Sequence, residues 1–285
     1  MHTVYRGMTQ EELETQYSAR GTVDDFDAEM RQYRELSEAS YAELNVIRDI
    51  AYGTGNEERI DLFPAKESNS PLFVFFHGGY WRALGRRDSA MMARTLVDHG
   101  ISVAVVEYTL APIAGLDQIV DQARRAVVHL AHNGERLCFD EQQIFLGGSS
   151  AGGHLCGMVL TPEWRGQYGL PDGAIKGALL ASGLFDLEPV RLCVPNQWLN
   201  LDKSAARRNS PQYLPMPSGI PLLVTWGGAE TDEFKRQSQE YSKVARLDGA
   251  VVDFEVTDRN HFNIIVDLAD PDRRLCRSTL EMILG

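Results

Sequence analysis

The chain has no stretch approaching 18 consecutive apolar residues, and its opening, MHTVYRGMTQEELETQ, carries acids and amides where an export leader would carry an apolar core. Neither a membrane span nor a secretory leader is expected, and the location read from this is cytoplasmic. Clustered lysine and arginine are also missing. The formal net charge is −12, with acids spread along the chain, which argues against nucleic acid or an anionic membrane surface as partner. The four cysteines, Cys138, Cys156, Cys193 and Cys276, show no C-x-x-C spacing. A disulfide framework and a zinc site are therefore not expected, and the four read as buried thiols. No internal repeat or low-complexity tract is visible, and no G-x-x-x-x-G-K-[ST] phosphate loop occurs.

What the chain does have is alternation. Its 285 residues are 44% apolar, enough for one large core. Residues 9–44 read as polar helices, with Phe26, Met30, Tyr33, Leu36, Tyr41 and Leu44 at roughly helical spacing. Residues 46–63 read as a β-hairpin divided at Gly53–Asn56. Apolar strands then follow at 72–76, 101–108, 143–147, 176–183, 221–228 and 251–257, separated by amphipathic helices, with a last helix over 271–284. Near-continuous apolar strands between such helices predict an α/β fold with a mostly parallel sheet covered on both faces. The expected organisation is effectively one domain: a helical cap over 1–45 and an α/β body over 46–285. An excursion at about 184–218 is too long for a plain crossover and is expected to pass over the active face.

The strand QIFLG runs into Gly148-Ser149-Ser150-Ala151-Gly152, a G-x-S-x-G. Such a match arises by chance about 0.1 times in a chain this long, but its strand–turn–helix setting is the one a nucleophile elbow requires. Only Ser150 has glycine at both −2 and +2, so it is the candidate nucleophile. The competing reading is a glycine-rich loop holding phosphate at a helix N-terminus.

A serine hydroxyl needs a base. Of seven histidines, His261 in VTDRNHFN follows the final strand, where the chain order Ser, acid, His of an α/β-hydrolase puts the base. The acid is sought after the penultimate strand, in TWGGAETDEF. Glu230 comes first off the glycine turn. Asp232 is the alternative acid, and Asp186, after the preceding strand, is a third. The first-turn position of Asp232 in the following helix explains it without catalysis.

Attack on a carbonyl produces an oxyanion that needs N–H donors. One is expected from Ala151, and others from Gly78 and Gly79 in FVFFHGGYWRALG, directly after an early strand. Tyr80 and Trp81 follow at once and, with His77, are candidate substrate contacts. Flat aromatic walls suit an aryl substrate, although packing of the loop into the core is the plainer alternative. Arg82, Arg86 and Arg87 continue the loop, and one of them could hold a substrate carboxylate. The N-terminal helices and the excursion, with Phe185 and Trp198, are expected to roof the site.

His77-Gly78-Gly79-Tyr80-Trp81, where lipase-type esterases usually read His-Gly-Gly-Gly, resembles the kynurenine formamidase (arylformamidase) family of α/β-hydrolases. YGTGNEERIDLFPA, SGLFDLEP, GGAETDEFKRQSQEY and the downstream NHF are similar to bacterial members, and the resemblance runs from about residue 10 to the C-terminus. It implies Ser150 as nucleophile, His261 as base and an acid at the position of Glu230, where animal members are expected to carry aspartate. That departure keeps Asp232 open. It further implies an amidase or esterase without metal or cofactor, acting on a small aromatic amide or ester, an aryl formamide first of all. Bacterial relatives with the same signature act on other amides, carbamates and esters, so a broad carboxylesterase is the first rival. A non-catalytic binding protein on the same scaffold is the second. The sequence leaves a homodimer open.

Overall fold

The structure is a computed structural model that describes residues 2–216, 218–247 and 249–285. Among the described residues eight strands form one sheet: β1 (Ile47–Ala51), β2 (Arg59–Phe63), β3 (Ser70–Phe76), β4 (Ser102–Val106), β5 (Phe139–Ser149), β6 (Ile175–Ala181), β7 (Leu222–Gly227) and β8 (Val251–Val256). Their order is β1-β2-β4-β3-β5-β6-β7-β8. The hairpin strands β1 and β2 pair antiparallel, β2 pairs antiparallel with β4, and every later pairing is parallel. The parallel α/β sheet expected from the apolar runs is present, and its alternation shows in the core. In β3, Leu72, Val74 and Phe76 join one buried cluster, and Phe73 and Phe75 join the other. Period-2 side chains thus feed two cores, one on each face.

The first face is covered by the helices Leu116–Ala131, Ala151–Leu160 and Asp232–Ala245, which bury Ile119, Val127, Leu155, Phe234 and Tyr241 there. The second face holds Met30 and Tyr33 of helix Phe26–Glu43, Leu96 of helix Ala93–Asp98, and Leu275 and Ile283 of helix Arg274–Leu284. Every residue of helix Ala151–Leu160 is buried, which explains why AGGHLCGMVL is small or apolar except at His154, whose ring finds a buried partner in Asn209 O. Cys138 departs from expectation. It caps a short helix in the left-handed region and is exposed, whereas the other three cysteines are buried and all four are free.

The N-terminal segment folds as helix Gln10–Gln16, a 3₁₀ turn Ala19–Thr22 and helix Phe26–Glu43. Thr9 and Glu12 form a reciprocal capping box, and Asp25 caps the longer helix at Ala28 N. Residues after β6 make the excursion, as the short helices Glu188–Arg191, Asn196–Leu199 and Lys203–Arg208 and a 3₁₀ turn Pro211–Tyr213. Among the described residues no helix is long and apolar enough to cross a membrane.

Glu58 closes the hairpin turn, accepting hydrogen bonds from Gly55 N at 2.8 Å, Gln122 Nε2 at 3.2 Å and Arg125 Nη2 at 2.5 Å. The Arg125 hydrogen bond, chiefly, holds its carboxyl down at about 2. The first face therefore carries an ion pair that tethers the sheet edge to helix Leu116–Ala131.

Candidate active site

Strand β5 delivers Ser150 at a sharp turn into helix Ala151–Leu160, with φ 57° and ψ −119°. This left-handed strain falls on Ser150 and not on Ser149, which still pairs with Ala181 in the sheet. Ser150 N donates to Ala181 O at 2.9 Å, and His154 N donates to Ser150 O at 3.0 Å, so the turn is fastened on both sides. The flanking glycines are steric necessities. A Cβ on Gly148 would lie 2.3 Å from Gly152 O, and one on Gly152 would lie 1.9 Å from Phe76 O.

Beneath the elbow, His154 is fully buried and donates Nε2–H to Asn209 O at 2.8 Å. Burial, chiefly, lowers its pKa to about 4, so the folded ring stays neutral while the unfolded ring titrates near 6.5. Between those values the unfolded chain binds more protons, so stability is full above about 6.5 and is lost as pH falls toward 4. Urea midpoints measured across that window should fall with acidification in the wild type and change less in His154→Gln, whose amide can still donate to Asn209. Identical slopes would contradict the assignment.

His261 lies in the loop after β8, buried, its ring against Phe234 at a centroid distance of 4.3 Å. Its Nδ1 faces Glu230 Oε2 at 3.0 Å. Glu230 is also buried, and its second oxygen accepts from Ser182 Oγ and Gly227 N, both at 2.5 Å. The carboxylate thus faces three donors, and the imidazole turns Nδ1–H toward it. Asp232, the alternative acid, stands on the first turn of helix Asp232–Ala245, exposed and without a part in this network. Asp186 is buried but engaged elsewhere, accepting from Tyr5 Oη at 3.0 Å and Glu188 N at 3.0 Å.

Two contacts from the N-terminal helix Phe26–Glu43 grip the histidine loop on either side of His261. Asn260 Nδ2 donates to Glu29 Oε1 at 2.7 Å, and Tyr33 Oη donates to Phe262 O at 2.6 Å. Asn260 Oδ1 accepts from Phe262 N and Asn263 N, at 2.8 and 2.9 Å, tightening the same turn.

The glycine turn after β3 abuts the elbow: a Cβ on Gly78 would lie 3.0 Å from Ser149 O and 3.4 Å from Ser150 Cβ. Gly79 has φ +96°, and a Cβ there would come within 2.2 Å of Ala83 O. Among the described residues the N–H groups of Gly78, Gly79 and Ala151 have no protein acceptor. They are the donors such a turn offers to a developing oxyanion.

His77 and Trp81 are not where substrate contacts would be. His77 is buried, stacked on Tyr108 at 4.2 Å, with Nε2 3.2 Å from Glu107 Oε1 and Nδ1 2.9 Å from Gly78 O. Burial would raise the Glu107 carboxyl, but the His77 hydrogen bond and charge, with the Arg86 contacts, hold it below the ordinary value. Trp81 is fully buried, edge-on to His154 at 4.9 Å, and its carbonyl accepts from Ala111 N at 2.7 Å. Both support the turn from behind. Tyr80 does reach the cavity, its hydroxyl donating to Tyr17 O at 2.7 Å and its carbonyl accepting from Trp198 Nε1 at 3.0 Å.

Ser150, His261, Gly78, Gly79 and Tyr80 line a single cavity of about 750 Å³. It straddles the C-terminal edge of the sheet. Met30, Tyr33, Phe75, Met91 and Ile265 wall it from the second core, and Tyr17 and Ala19 from the first. Of the roof expected from the N-terminal helices and the excursion, Tyr17, Arg20, Phe26 and Trp198 line the cavity, whereas Phe185 is fully buried away from it, stacked on Tyr241 at 4.0 Å. Ser182, Glu29 and Tyr33 are site residues that sequence reasoning does not single out. The Ser182-Gly183 pair at the end of β6 is the one readable signal. Among the described residues no group of three or more His, Cys, Asp and Glu side chains could hold a metal ion.

The BD-FAE family model matches residues 60–165. Two curated relatives named kynurenine formamidase, from Danio rerio and Salmo salar, are each 33% identical, with 98% of both chains covered. The chain belongs to the kynurenine formamidase family. A crystal structure from Silicibacter sp., provisionally described as a thioesterase, superposes with a TM-score of 0.84 at 28% identity, covering 96% of this chain and 99% of that one. As a member of the kynurenine formamidase family the protein is an enzyme, a hydrolase of the α/β-hydrolase fold.

Proposed function

We propose that this enzyme hydrolyses a small aryl formamide, N-formylkynurenine or a near analogue, through an acyl-serine intermediate. The observation that carries the reading is the Glu230–His261 hydrogen bond opening onto the same cavity as the strained Ser150. Ser150 Oγ adds to the formyl carbon as its proton passes to His261 Nε2. The carbonyl oxygen becomes an oxyanion facing the N–H groups of Gly78, Gly79 and Ala151. His261 then gives the proton to the aryl nitrogen, the C–N bond breaks, and the arylamine leaves. Water, deprotonated by His261, attacks the formyl-serine and releases formate, restoring the hydroxyl. Glu230 holds the imidazole tautomer and stabilises the imidazolium in both halves. Tyr80 and Trp198 offer flat walls to an aryl group.

The cavity supports a second reading. At about 750 Å³, drawn from both cores, it exceeds what a formyl group needs and would admit longer acyl groups or other amides and carbamates. Turnover of N-formyl-L-kynurenine against p-nitrophenyl esters of increasing chain length separates the two. The formamide is expected to give the higher kcat/KM. Turnover of the esters alone would overturn the formamidase reading and leave the esterase.

A further inference from the structure

The loop after the oxyanion turn carries Arg82, Arg86 and Arg87, and the structure uses them differently. Arg86 pairs with Asp61 at 3.1 Å and Glu107 at 3.7 Å, and with Asp49. Arg87 pairs with Asp61 at 3.3 Å and Asp49 at 3.9 Å. Both are committed to holding the loop against the hairpin. Arg82 has no carboxylate partner among the described residues. Its guanidinium lies over the Trp198 ring, with Cζ 4.6 Å from the centroid. Arg20, on the 3₁₀ turn of the roof, repeats the arrangement over Phe26 at 4.5 Å, again without a carboxylate.

Both arginines line the cavity that Ser150 and His261 line. The carboxylate on that wall, Glu14, already accepts from Gln10 Nε2 at 2.9 Å and Val194 N at 3.0 Å. Two arginines thus face one carboxylate on the cavity wall, a net positive lining, in a protein whose net charge of −12 repels anions at a distance. A guanidinium lying on an aromatic face has shed water from one side and keeps its N–H edge for an in-plane, bidentate acceptor.

We propose that Arg82 and Arg20 form an anion subsite at the cavity mouth that selects aryl substrates bearing a carboxylate on their side chain. The proposal rests on the cavity being the substrate site, and not on which bond is cleaved there. Trp198 and Phe26 hold the two cations in place. The apolar wall between them and Ser150 takes the ring.

Calorimetric titration with 4-oxo-4-phenylbutanoate and its primary amide tests this without turnover. The carboxylate is expected to bind the wild type about 10- to 100-fold more tightly than the amide, as for a hydrogen-bonded charge pair. Arg82→Gln and Arg20→Gln should each weaken the carboxylate and leave the amide nearly unchanged. The double variant should bind both alike, and Arg82→Lys should keep part of the preference. Raised salt should shrink it. Equal affinities in the wild type, a preference surviving in the double variant, or binding of neither probe would overturn the proposal. Hydrolysis of N-formyl-L-kynurenine, measured on the same preparations, reports separately on the reaction. Its absence with the carboxylate preference intact would sink the formamidase reading and leave this subsite standing.

Discussion

Ser150→Ala should keep its fold and lose kcat by on the order of 10⁵–10⁶, the loss that follows removal of a serine nucleophile from a preassembled site. Nothing else near the cavity would replace it. Ser149 lines the same space but sits in the β5 ladder, its backbone paired with Ala181, without the turn geometry that presents a side chain at an apex. The variant also reads out the strain. At φ 57° and ψ −119°, Ser150 occupies a region that costs a residue with a Cβ about 1–3 kcal/mol. Ser150→Gly should therefore be more stable than Ser150→Ala by about 1 kcal/mol, in spite of the entropy glycine gives back to the unfolded chain. Urea denaturation of the two variants checks this. An alanine variant that keeps activity, or a glycine variant less stable than the alanine one, would contradict the geometry of the elbow.

Glu230→Gln should cost about 10³–10⁴ in kcat, and Asp232→Asn less than about twofold. Glu230 accepts three hydrogen bonds, from His261 Nδ1, Ser182 Oγ and Gly227 N. A glutamine there has one acceptor oxygen for those three donors. If that oxygen stays with Ser182 and Gly227, its NH₂ meets the imidazole and favours the tautomer with Nε2 protonated, which cannot take a proton from Ser150. Asp232 stands on a helix first turn, and its loss touches only that helix terminus. Steady-state kinetics on N-formyl-L-kynurenine decides between them. Near-wild-type kcat in Glu230→Gln, with a collapse in Asp232→Asn, would reverse the acid assignment.

Much of this site is legible in the amino-acid sequence because its parts obey local rules. The G-x-S-x-G glycines announce close backbone packing, and the fold order of strands places an acid and a histidine at two particular strand ends. The hairpin around Gly53–Asn56 and the parallel strands follow from turn chemistry and apolar runs. Side-chain direction on irregular backbone is another matter. Tyr80 and Trp81 are adjacent, both with positive φ, and one faces the cavity while the other is buried against His154. On a strand their opposite fates would follow from period 2. On a left-handed turn no periodicity applies, so only one of the two aromatics expected at the wall is there.

His77 misleads for a related reason. Beside the glycines it looks like a substrate ligand, yet its ring packs on Tyr108, 31 residues along the chain, and fixes the turn through Glu107. Contacts of that separation have no local signature. The same holds for Glu29 and Tyr33, which grip the His261 loop across 231 and 229 residues. The sequence pattern of helix Phe26–Glu43 shows that it has an apolar face. It does not show that the helix meets the loop that carries His261.

Ser150, activated by His261 and Glu230, is the proposed nucleophile of this cavity. Treating the protein with a fluorophosphonate and mapping the adduct by peptide mass spectrometry tests it most directly. One equivalent of label is expected, carried on Ser150 and not Ser149, formed orders of magnitude more slowly in His261→Ala and absent from Ser150→Ala. Label on another residue, or equal labelling of wild type and Ser150→Ala, would contradict it.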